Sequence, residues 1–220
     1  MKVFVTGSSG LLASWIRPGF DRADVEVVGY DLKSGQDIFD VPKLEKAMEG
    51  CDTVLHLAAH PSRDSAQTWE QFHHLNHEGS VLVFEIAKKL KIKRFVYGST
   101  GNVYCFGDGL QDDKEPPIDV EDTPDPEMVH PYPRSKLLTE AYLKENRGTI
   151  QVIVLRPNHL APTPKEVIDR WRGATITRDR LVRYFVNACT RYIRNRYIIL
   201  DVIEPTENYP GSLKAEELLD

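Results

Sequence analysis

The chain has 220 residues, of which 41% are hydrophobic and 28% are charged, a balance that excludes a disordered segment. Its formal net charge of −5 argues against a nucleic-acid partner, which needs a basic surface, and no apolar run approaches the ~20 residues of a membrane span. The three cysteines, Cys51, Cys105 and Cys189, are odd in number and widely spaced, which indicates free thiols and a cytoplasmic location.

Strand-like and helix-like segments alternate along the chain, as they do around a parallel sheet. The predicted strands are Lys2–Thr6, Glu26–Tyr30, Thr53–Leu57, Arg94–Gly98, Ile150–Leu155 and Arg196–Val202, with Asp37–Asp40 as a weak further strand or a loop. The predicted helices are Leu11–Phe20, Pro42–Glu49, Trp69–Leu90, Pro133–Glu145 and Asp179–Tyr192, the last with Thr177 or Arg178 near its cap. Loops are expected over Gly101–Val129 and around Ala161–Pro164, and the acidic tail from Glu204 is expected to be partly mobile. This order predicts an α/β fold, a doubly wound parallel sheet with helices on both faces.

A glycine-rich turn, TGSSGLLA at 6–13, lies between the first predicted strand and the first predicted helix. Glycines let the backbone approach a pyrophosphate, and the helix N-terminus directs its amides and the positive end of its dipole at the anion. Asp31 follows the second strand, about 20 residues further on, where an acid binds the adenosine ribose hydroxyls. Since this carboxylate repels a ribose phosphate, we expect NAD and not NADP. The candidate cofactor residues of this unit are Gly7, Ser9, Gly10, Leu11 and Asp31.

Two shorter segments extend the predicted cofactor site. Asp37 and Ile38 lie where the chain would flank an adenine ring. Leu57, Ala58 and Ala59 end the third predicted strand with small residues, which leave room for a cofactor across the strand ends.

Tyr132 and Lys136 are four residues apart at the start of a predicted helix and therefore share one face. A nearby ammonium favours the phenolate and lowers the pKa of tyrosine, which would let Tyr132 act as a general base. Pro133 suits the first helical position and places Tyr132 at the cap. Thr100 follows the fourth predicted strand at the sheet edge where ligands bind, and its hydroxyl is suited to hold a substrate oxygen.

Together these residues resemble the extended short-chain dehydrogenase/reductase family, in its NAD-dependent epimerase/dehydratase group. The resemblance covers roughly residues 1–160 and rests on TGSSGLLA at 6–13, Asp31, HLAA at 56–59, Asn76, GSTGNVY at 98–104, YPRSK at 132–136 and LRP at 155–157. It implies an NAD-binding Rossmann domain over residues 1–157 that carries the catalytic residues. It also implies a small substrate-covering segment over 158–220, integrated with that domain.

The resemblance assigns roles to individual side chains. Tyr132 would be the general base, Lys136 would bind the nicotinamide ribose and lower the pKa of Tyr132, and Thr100 would bind the reacting hydroxyl. Asn76 would support the site from the long helix. The chain departs from the family pattern at Ala13, which replaces a third glycine, and at Pro133, where a small residue is usual.

The segment after Leu155-Arg156-Pro157 is short, about 60 residues, and in this the chain looks more like the family's uronate and aldose dehydrogenases than its nucleotide-sugar enzymes. Arg170 would then match an arginine on the sugar carboxylate, with Arg172 as second choice. His159 takes roughly the position where those enzymes use a serine. The candidate substrate residues are His60, Asn102, Asn158, His159, Arg170 and Arg172.

The predicted function is hydride transfer between a sugar hydroxyl carbon and NAD. One alternative is a nucleotide-sugar epimerase that oxidises its substrate transiently with retained NAD, and another is a sensor that binds NAD without turnover. The resemblance also implies a homodimer through Trp69–Leu90 and Pro133–Glu145. His73 and His77 are four residues apart but have no third ligand placed by sequence, so no metal is expected.

Overall fold

The computed structural model describes residues 1–61, 68–104, 130–160, 175–207 and 209–220. The strands are β1 (Lys2–Thr6), β2 (Glu26–Tyr30), β3 (Thr53–His56), β4 (Arg94–Gly98), β5 (Gln151–Pro157), β6 (His159–Leu160), β7 (Thr175–Ile176) and β8 (Tyr197–Val202). The helices are α1 (Leu11–Arg22), α2 (Val41–Met48), α3 (Trp69–Phe72), α4 (Gly79–Lys89), α5 (Pro131–Asn146), α6 (Arg178–Thr190) and α7 (Pro210–Leu219). A π-helical segment spans His73–Glu78, and short 3-10 turns span Leu32–Ser34 and Gly101–Tyr104.

Six parallel strands form the main sheet in the order β2-β1-β3-β4-β5-β8. The strand order reverses between β1 and β3, and in open sheets of this kind ligands bind at the carboxyl ends of the strands beside such a reversal. The predicted doubly wound parallel sheet is therefore confirmed. Asp37–Asp40 forms no strand, so the loop alternative is correct there.

Both faces of the sheet are covered, because successive strand residues point to opposite sides and both sets are apolar. Val3 and Val5 of β1 belong to a cluster with residues of α1, α6 and α7, whereas Phe4 between them belongs to a cluster with residues of α2, α4 and α5. The sheet is thus a fixed platform whose strand ends carry the functional side chains.

The predicted long helix Trp69–Leu90 is not continuous. Its middle part, His73–Glu78, is π-helical, and α4 resumes at Gly79. The spacing of apolar residues predicts a helix but does not distinguish an α-helical turn from a π-helical turn, which has about one more residue. The sequence pattern therefore missed this segment. It matters because it carries the buried Asn76.

Two other predictions are corrected. Helix α5 begins at Pro131 with His130 as its cap, so Tyr132 lies inside the first turn and not at the cap. The residues from Glu204 onward, predicted to be partly mobile, include the ordered helix α7, which buries Ala215 and Leu219. The acidic composition of this tail concealed its apolar face.

Residues beyond 157 add α6 and β8 to the same layered unit, while the domain boundary at 157 stays a prediction. Ala161–Pro164 lies outside the described residues, as does most of the predicted loop Gly101–Val129, whose first residues form a 3-10 turn. None of the helices in the described ranges is long and apolar enough to cross a membrane.

Candidate active site

The glycine-rich turn approaches the end of β3 closely. Gly7 has a φ of 66°, and a Cβ placed there would lie 2.8 Å from the backbone nitrogen of Ala58. Gly10 caps α1 without a side-chain hydrogen bond, and its amide donates to the Gly7 carbonyl at 2.9 Å. Leu11 opens α1 and is exposed. The turn therefore leaves backbone amides at the helix N-terminus for an anion, as expected for a dinucleotide site.

Asp31 lies directly after β2, across from this turn. Its Oδ2 accepts from the Ser9 amide at 2.9 Å, and its Oδ1 accepts from the Lys33 amide at 2.8 Å. The Lys33 ammonium donates to the Ser9 carbonyl at 3.4 Å. The structure thus brings Ser9 and the predicted ribose-binding acid together.

The two shorter cofactor segments are held against the same strand ends. Asp37 Oδ1 accepts a hydrogen bond from the Phe39 amide at 2.9 Å, and the side chain of Ile38 is buried. Any contact of Ile38 with an adenine ring would therefore use its backbone. The amides of Leu57 and Ala58 donate to Thr6 Oγ1 at 3.1 and 3.2 Å, which fixes the segment leading to Ala59 beside the turn.

Tyr132, Thr100 and Lys136 come together at the carboxyl end of β4. The Thr100 hydroxyl lies close enough to Tyr132 to favour its phenolate form. Lys136 Nζ donates to the Gly98 carbonyl at 2.9 Å and lies 4.9 Å from the centre of the Tyr97 ring. All three predicted catalytic side chains are buried.

Burial shifts both titratable groups of this set. It raises the pKa of Tyr132, while the nearby Thr100 hydroxyl acts in the opposite direction. The predicted lowering of the Tyr132 pKa is thus wrong for this form of the protein, because helical spacing does not account for desolvation. Burial also lowers the pKa of Lys136 to about 8, against the opposing charge of Glu140.

Asn76 connects the long helix to the site. Its Oδ1 accepts from the His60 amide at 2.7 Å, and its Nδ2 donates to the His60 carbonyl at 3.3 Å and to Ser135 Oγ at 3.2 Å. The ring of Phe72 contacts both His60 and Tyr132, with centroids 6.0 and 5.8 Å apart. Asn76 thereby holds His60 at the edge of the catalytic residues.

Only some of the predicted substrate residues can be located. The Asn102 amide donates to Thr100 Oγ1 at 3.2 Å, and the Asn158 side chain packs so closely on Gly101 that a Cβ there would lie 2.7 Å from its Nδ2. The backbone of His159 belongs to β6. Arg170 and Arg172 lie outside the described residues.

A buried polar network lies beside the site and was missed from the sequence. Ser99 Oγ donates to Glu140, whose carboxylate accepts from Arg156 Nη2 at 2.6 Å and Nε at 3.2 Å. Arg156 Nη1 donates to Tyr104 Oη at 2.8 Å, and Tyr104 donates to Asp201 Oδ1 at 2.9 Å. Glu140, four residues after Lys136, was a signal for this network, since that spacing places it on the catalytic face of the helix.

The surface histidines form a separate group. His73 and His74 both contact Glu78, at 3.4 and 2.8 Å, and the ring centroids of His73 and His77 are 5.1 Å apart. Within the part of the chain that the structure describes, no three His, Cys, Asp or Glu side chains are arranged to hold a metal ion.

Two curated proteins are similar in sequence over about half of the chain. An L-arabinose 1-dehydrogenase (NAD(P)(+)) of Haloferax volcanii is 35% identical over 131 residues, which are 54% of this chain and 49% of that protein. A 2-alkyl-3-oxoalkanoate reductase of Shewanella oneidensis is 31% identical over 121 residues, which are 48% of this chain and 30% of that protein. The chain thus spans half or less of the length of these relatives.

Solved structures share the fold at low identity. A UDP-glucose 4-epimerase of Thermotoga maritima has a TM-score of 0.73 at 22% identity, covering 91% of this chain and 76% of that one. A mutated uronate dehydrogenase has a TM-score of 0.71 at 20% identity, covering 94% and 76%. Residues 3–184 match the family described as NAD dependent epimerase/dehydratase, and the chain belongs to that family.

Proposed function

We propose that this chain is an NAD-dependent oxidoreductase that transfers hydride between a sugar hydroxyl carbon and NAD. The observation that carries the proposal is the convergence of Tyr132, Thr100 and Lys136 at the end of β4, on the same sheet edge as the glycine turn and Asp31. Such a set pairs a proton acceptor with a dinucleotide site.

The residues of the turn fit the cofactor. Gly7 and Gly10 offer open backbone, and Asp31 offers a carboxylate for the ribose hydroxyls. Lys136 would bind the nicotinamide ribose. Bound NAD supplies the acceptor for the hydride. We propose NAD over NADP because Asp31 would repel a 2′-phosphate.

The chain's own residues handle the proton and orient the alcohol. Thr100 holds the substrate oxygen, and Tyr132 Oη removes its proton. Since burial raises the pKa of Tyr132, the phenolate needs stabilisation from the Lys136 ammonium and the Thr100 hydroxyl. We therefore expect the rate of oxidation to rise with pH while Lys136 stays protonated.

A sugar is the substrate class that best fits the comparisons. One sequence relative of this chain is named an L-arabinose 1-dehydrogenase, and one fold neighbour of this chain is a uronate dehydrogenase. His60 contacts Phe72, which also contacts Tyr132, and is proposed to contact the substrate. Asn102, Asn158, His159, Arg170 and Arg172 remain proposed substrate residues. A nucleotide-sugar epimerase would use the same catalytic residues. A measurement of the products formed must therefore distinguish a dehydrogenase from an epimerase.

The test is NADH formation by the purified protein with free aldoses, uronic acids, sugar phosphates and UDP-sugars. We expect steady NADH with a free or phosphorylated sugar, and a loss of about 10²- to 10⁴-fold in kcat for Tyr132→Phe, because the phenol oxygen is the proton acceptor. Tyr192→Phe, which changes a tyrosine that is 88% exposed, is the matched control and should retain activity.

Two outcomes would change the assignment. Interconversion of UDP-sugars without net NADH would make the protein an epimerase. Full activity of Tyr132→Phe would show that the catalytic base lies elsewhere.

We also propose a cytoplasmic location, supported by the buried free thiols of Cys51 and Cys189. The homodimer through the two long helices, and a substrate-covering role for residues 158–220, are proposed on the family resemblance.

A further inference from the structure

Helix α5 presents three polar side chains at successive four-residue intervals, and all three face the carboxyl end of β4. Tyr132 interacts with the Thr100 hydroxyl, Lys136 donates to the Gly98 carbonyl, and Glu140 accepts from the Ser99 hydroxyl. The last residue of β4 and the two residues after it thus face three residues on one side of the helix. The proposed mechanism uses the first two helix residues and leaves Glu140 without a role.

Glu140 is a buried carboxylate held in place from two sides. Arg156 of β5 donates to both of its oxygens, at 3.2 and 2.6 Å, and the side chains of both residues are almost fully inaccessible. Paired hydrogen bonds between an arginine and a carboxylate are charge-assisted and fix the orientation of the carboxylate. The negative charge of Glu140 therefore stands one helical turn from the Lys136 ammonium.

We propose that Glu140 is a positioning residue that keeps Lys136 in its charged form and holds the Ser99–Thr100 segment in register with Tyr132. The inference rests on the proposed function, because Lys136 must be an ammonium to stabilise the phenolate. It assigns the buried network a part in catalysis beyond its contribution to folding.

The groups that face Lys136 favour this assignment. His56 of β3 is neutral, since burial lowers its pKa to about 3, and Tyr97 of β4 presents its ring to the ammonium. Tyr132 lies one turn before Lys136 on α5. Two further charged residues belong to the network around Glu140. Arg156 of β5 donates to Glu140 and to Tyr104, and Tyr104 donates to Asp201 of β8. Burial disfavours the ammonium, and Glu140 supplies the charge that opposes this effect.

The first test follows Lys136 directly, by NMR titration of protein labelled with ε-¹³C lysine and assigned with Lys136→Arg. In Glu140→Gln, which can still accept from Ser99, the midpoint of the Lys136 titration should fall by about one pH unit or more. Ser99→Ala, which keeps the charge of Glu140 and removes only the hydroxyl, should leave the midpoint unchanged. A Glu140→Gln midpoint equal to that of the wild type would overturn the proposal.

The second test is the pH profile of kcat. Because Lys136 would lose its proton earlier, the alkaline limb of Glu140→Gln should move to lower pH, whereas Ser99→Ala should lower kcat without moving that limb. A purely structural role would reduce active protein equally at every pH, and this result would contradict the proposal.

Glu140→Gln leaves the Arg156 charge without its carboxylate, and such a variant can fail to fold. In that case the double variant Glu140→Gln/Arg156→Met, which replaces the ion pair by uncharged groups, carries both measurements. Because it also removes the positive charge of Arg156, the expected shifts have the same direction and are smaller. If the wild type reduces no NAD with any sugar, the proposed function fails, while the NMR titration still decides the role of Glu140.

Discussion

At the scale of single residues, the proposed cofactor site contains one carboxylate, that of Asp31, which lies between two backbone amide donors. Asp31 accepts from the amides of Ser9 and Lys33, so its side chain is oriented before any ligand arrives. The Lys33 ammonium lies on the same rim, against the Ser9 carbonyl. The proposed preference for NAD over NADP therefore rests on the negative charge of Asp31 beside the positive charge of Lys33.

Replacing Asp31 should weaken that preference. In Asp31→Ala, NAD binding should weaken by about 10-fold or more, because a hydrogen bond to a charged group is lost. NADP binding should strengthen, because its phosphate is no longer repelled and Lys33 is nearby. Calorimetric titration with both dinucleotides measures the two effects, and Asp21→Asn on the exposed face of α1 is the control. Tighter binding of NADP than NAD by the wild type would contradict the assignment of Asp31.

At the scale of elements, a hydrogen-bonded chain joins β1, β3, α4 and the π-helical segment. Ser80 Oγ donates to the Asn76 carbonyl at 2.6 Å and therefore accepts from His56 Nε2 at 2.9 Å. His56 Nδ1 then accepts from Thr6 Oγ1 at 2.7 Å. The hydroxyl protons of Ser80 and Thr6 are each committed to one acceptor in this series of hydrogen bonds. His56 must therefore be neutral, with its proton on Nε2. The glycine turn and Asn76 are thus positioned by the same buried ring.

The hydrogen bonds of His56 predict that the stability of the fold depends on pH. Because folding lowers the pKa of His56 from 6.5 to about 3, the unfolded protein binds more protons in this range. The stabilisation is fully present above pH 6.5 and is lost as the pH falls toward 3. Between pH 6.5 and about 3, each decrease of one pH unit should lower the free energy of unfolding of the wild type by about 1.4 kcal/mol more than that of His56→Gln.

Urea unfolding of the two proteins at several pH values measures the difference. Parallel pH profiles for the wild type and His56→Gln would show that another group carries the dependence.

The elements also show what a sequence can predict here. The strands β1, β2 and β4 begin and end where predicted, because each is a short apolar run bounded by turn residues. The motif spacing likewise predicted the meeting of Tyr132, Lys136 and Thr100. The π-helical segment, the direction of the Tyr132 pKa and the ion pair of Glu140 with Arg156 depend on burial and on contacts distant along the chain. Those properties arise only when the layers assemble.

At the scale of the whole molecule, the acidic segment after β8 closes the apolar layer shared by α1 and α6. Leu219 of α7 is fully buried in that layer, and its carbonyl accepts from Asn187 Nδ2 of α6 at 2.7 Å. Arg180 of α6 also forms ion pairs with Glu216 and Asp220, at 3.3 and 2.9 Å. Helix α7 is therefore part of the structural core, with its charges on the outer face.

The contribution of α7 can be measured by removing apolar atoms from its inner face. Leu219→Ala should lower the free energy of unfolding by about 2–4 kcal/mol, because it leaves a cavity in a packed layer. Leu213→Ala on the same helix is the matched control, since Leu213 is 43% exposed and its truncation should change stability by less than about 0.5 kcal/mol. Urea unfolding followed by circular dichroism gives both values. Equal small effects at the two positions would mean that α7 is loosely attached in solution, as the mobile tail predicted from the sequence would be.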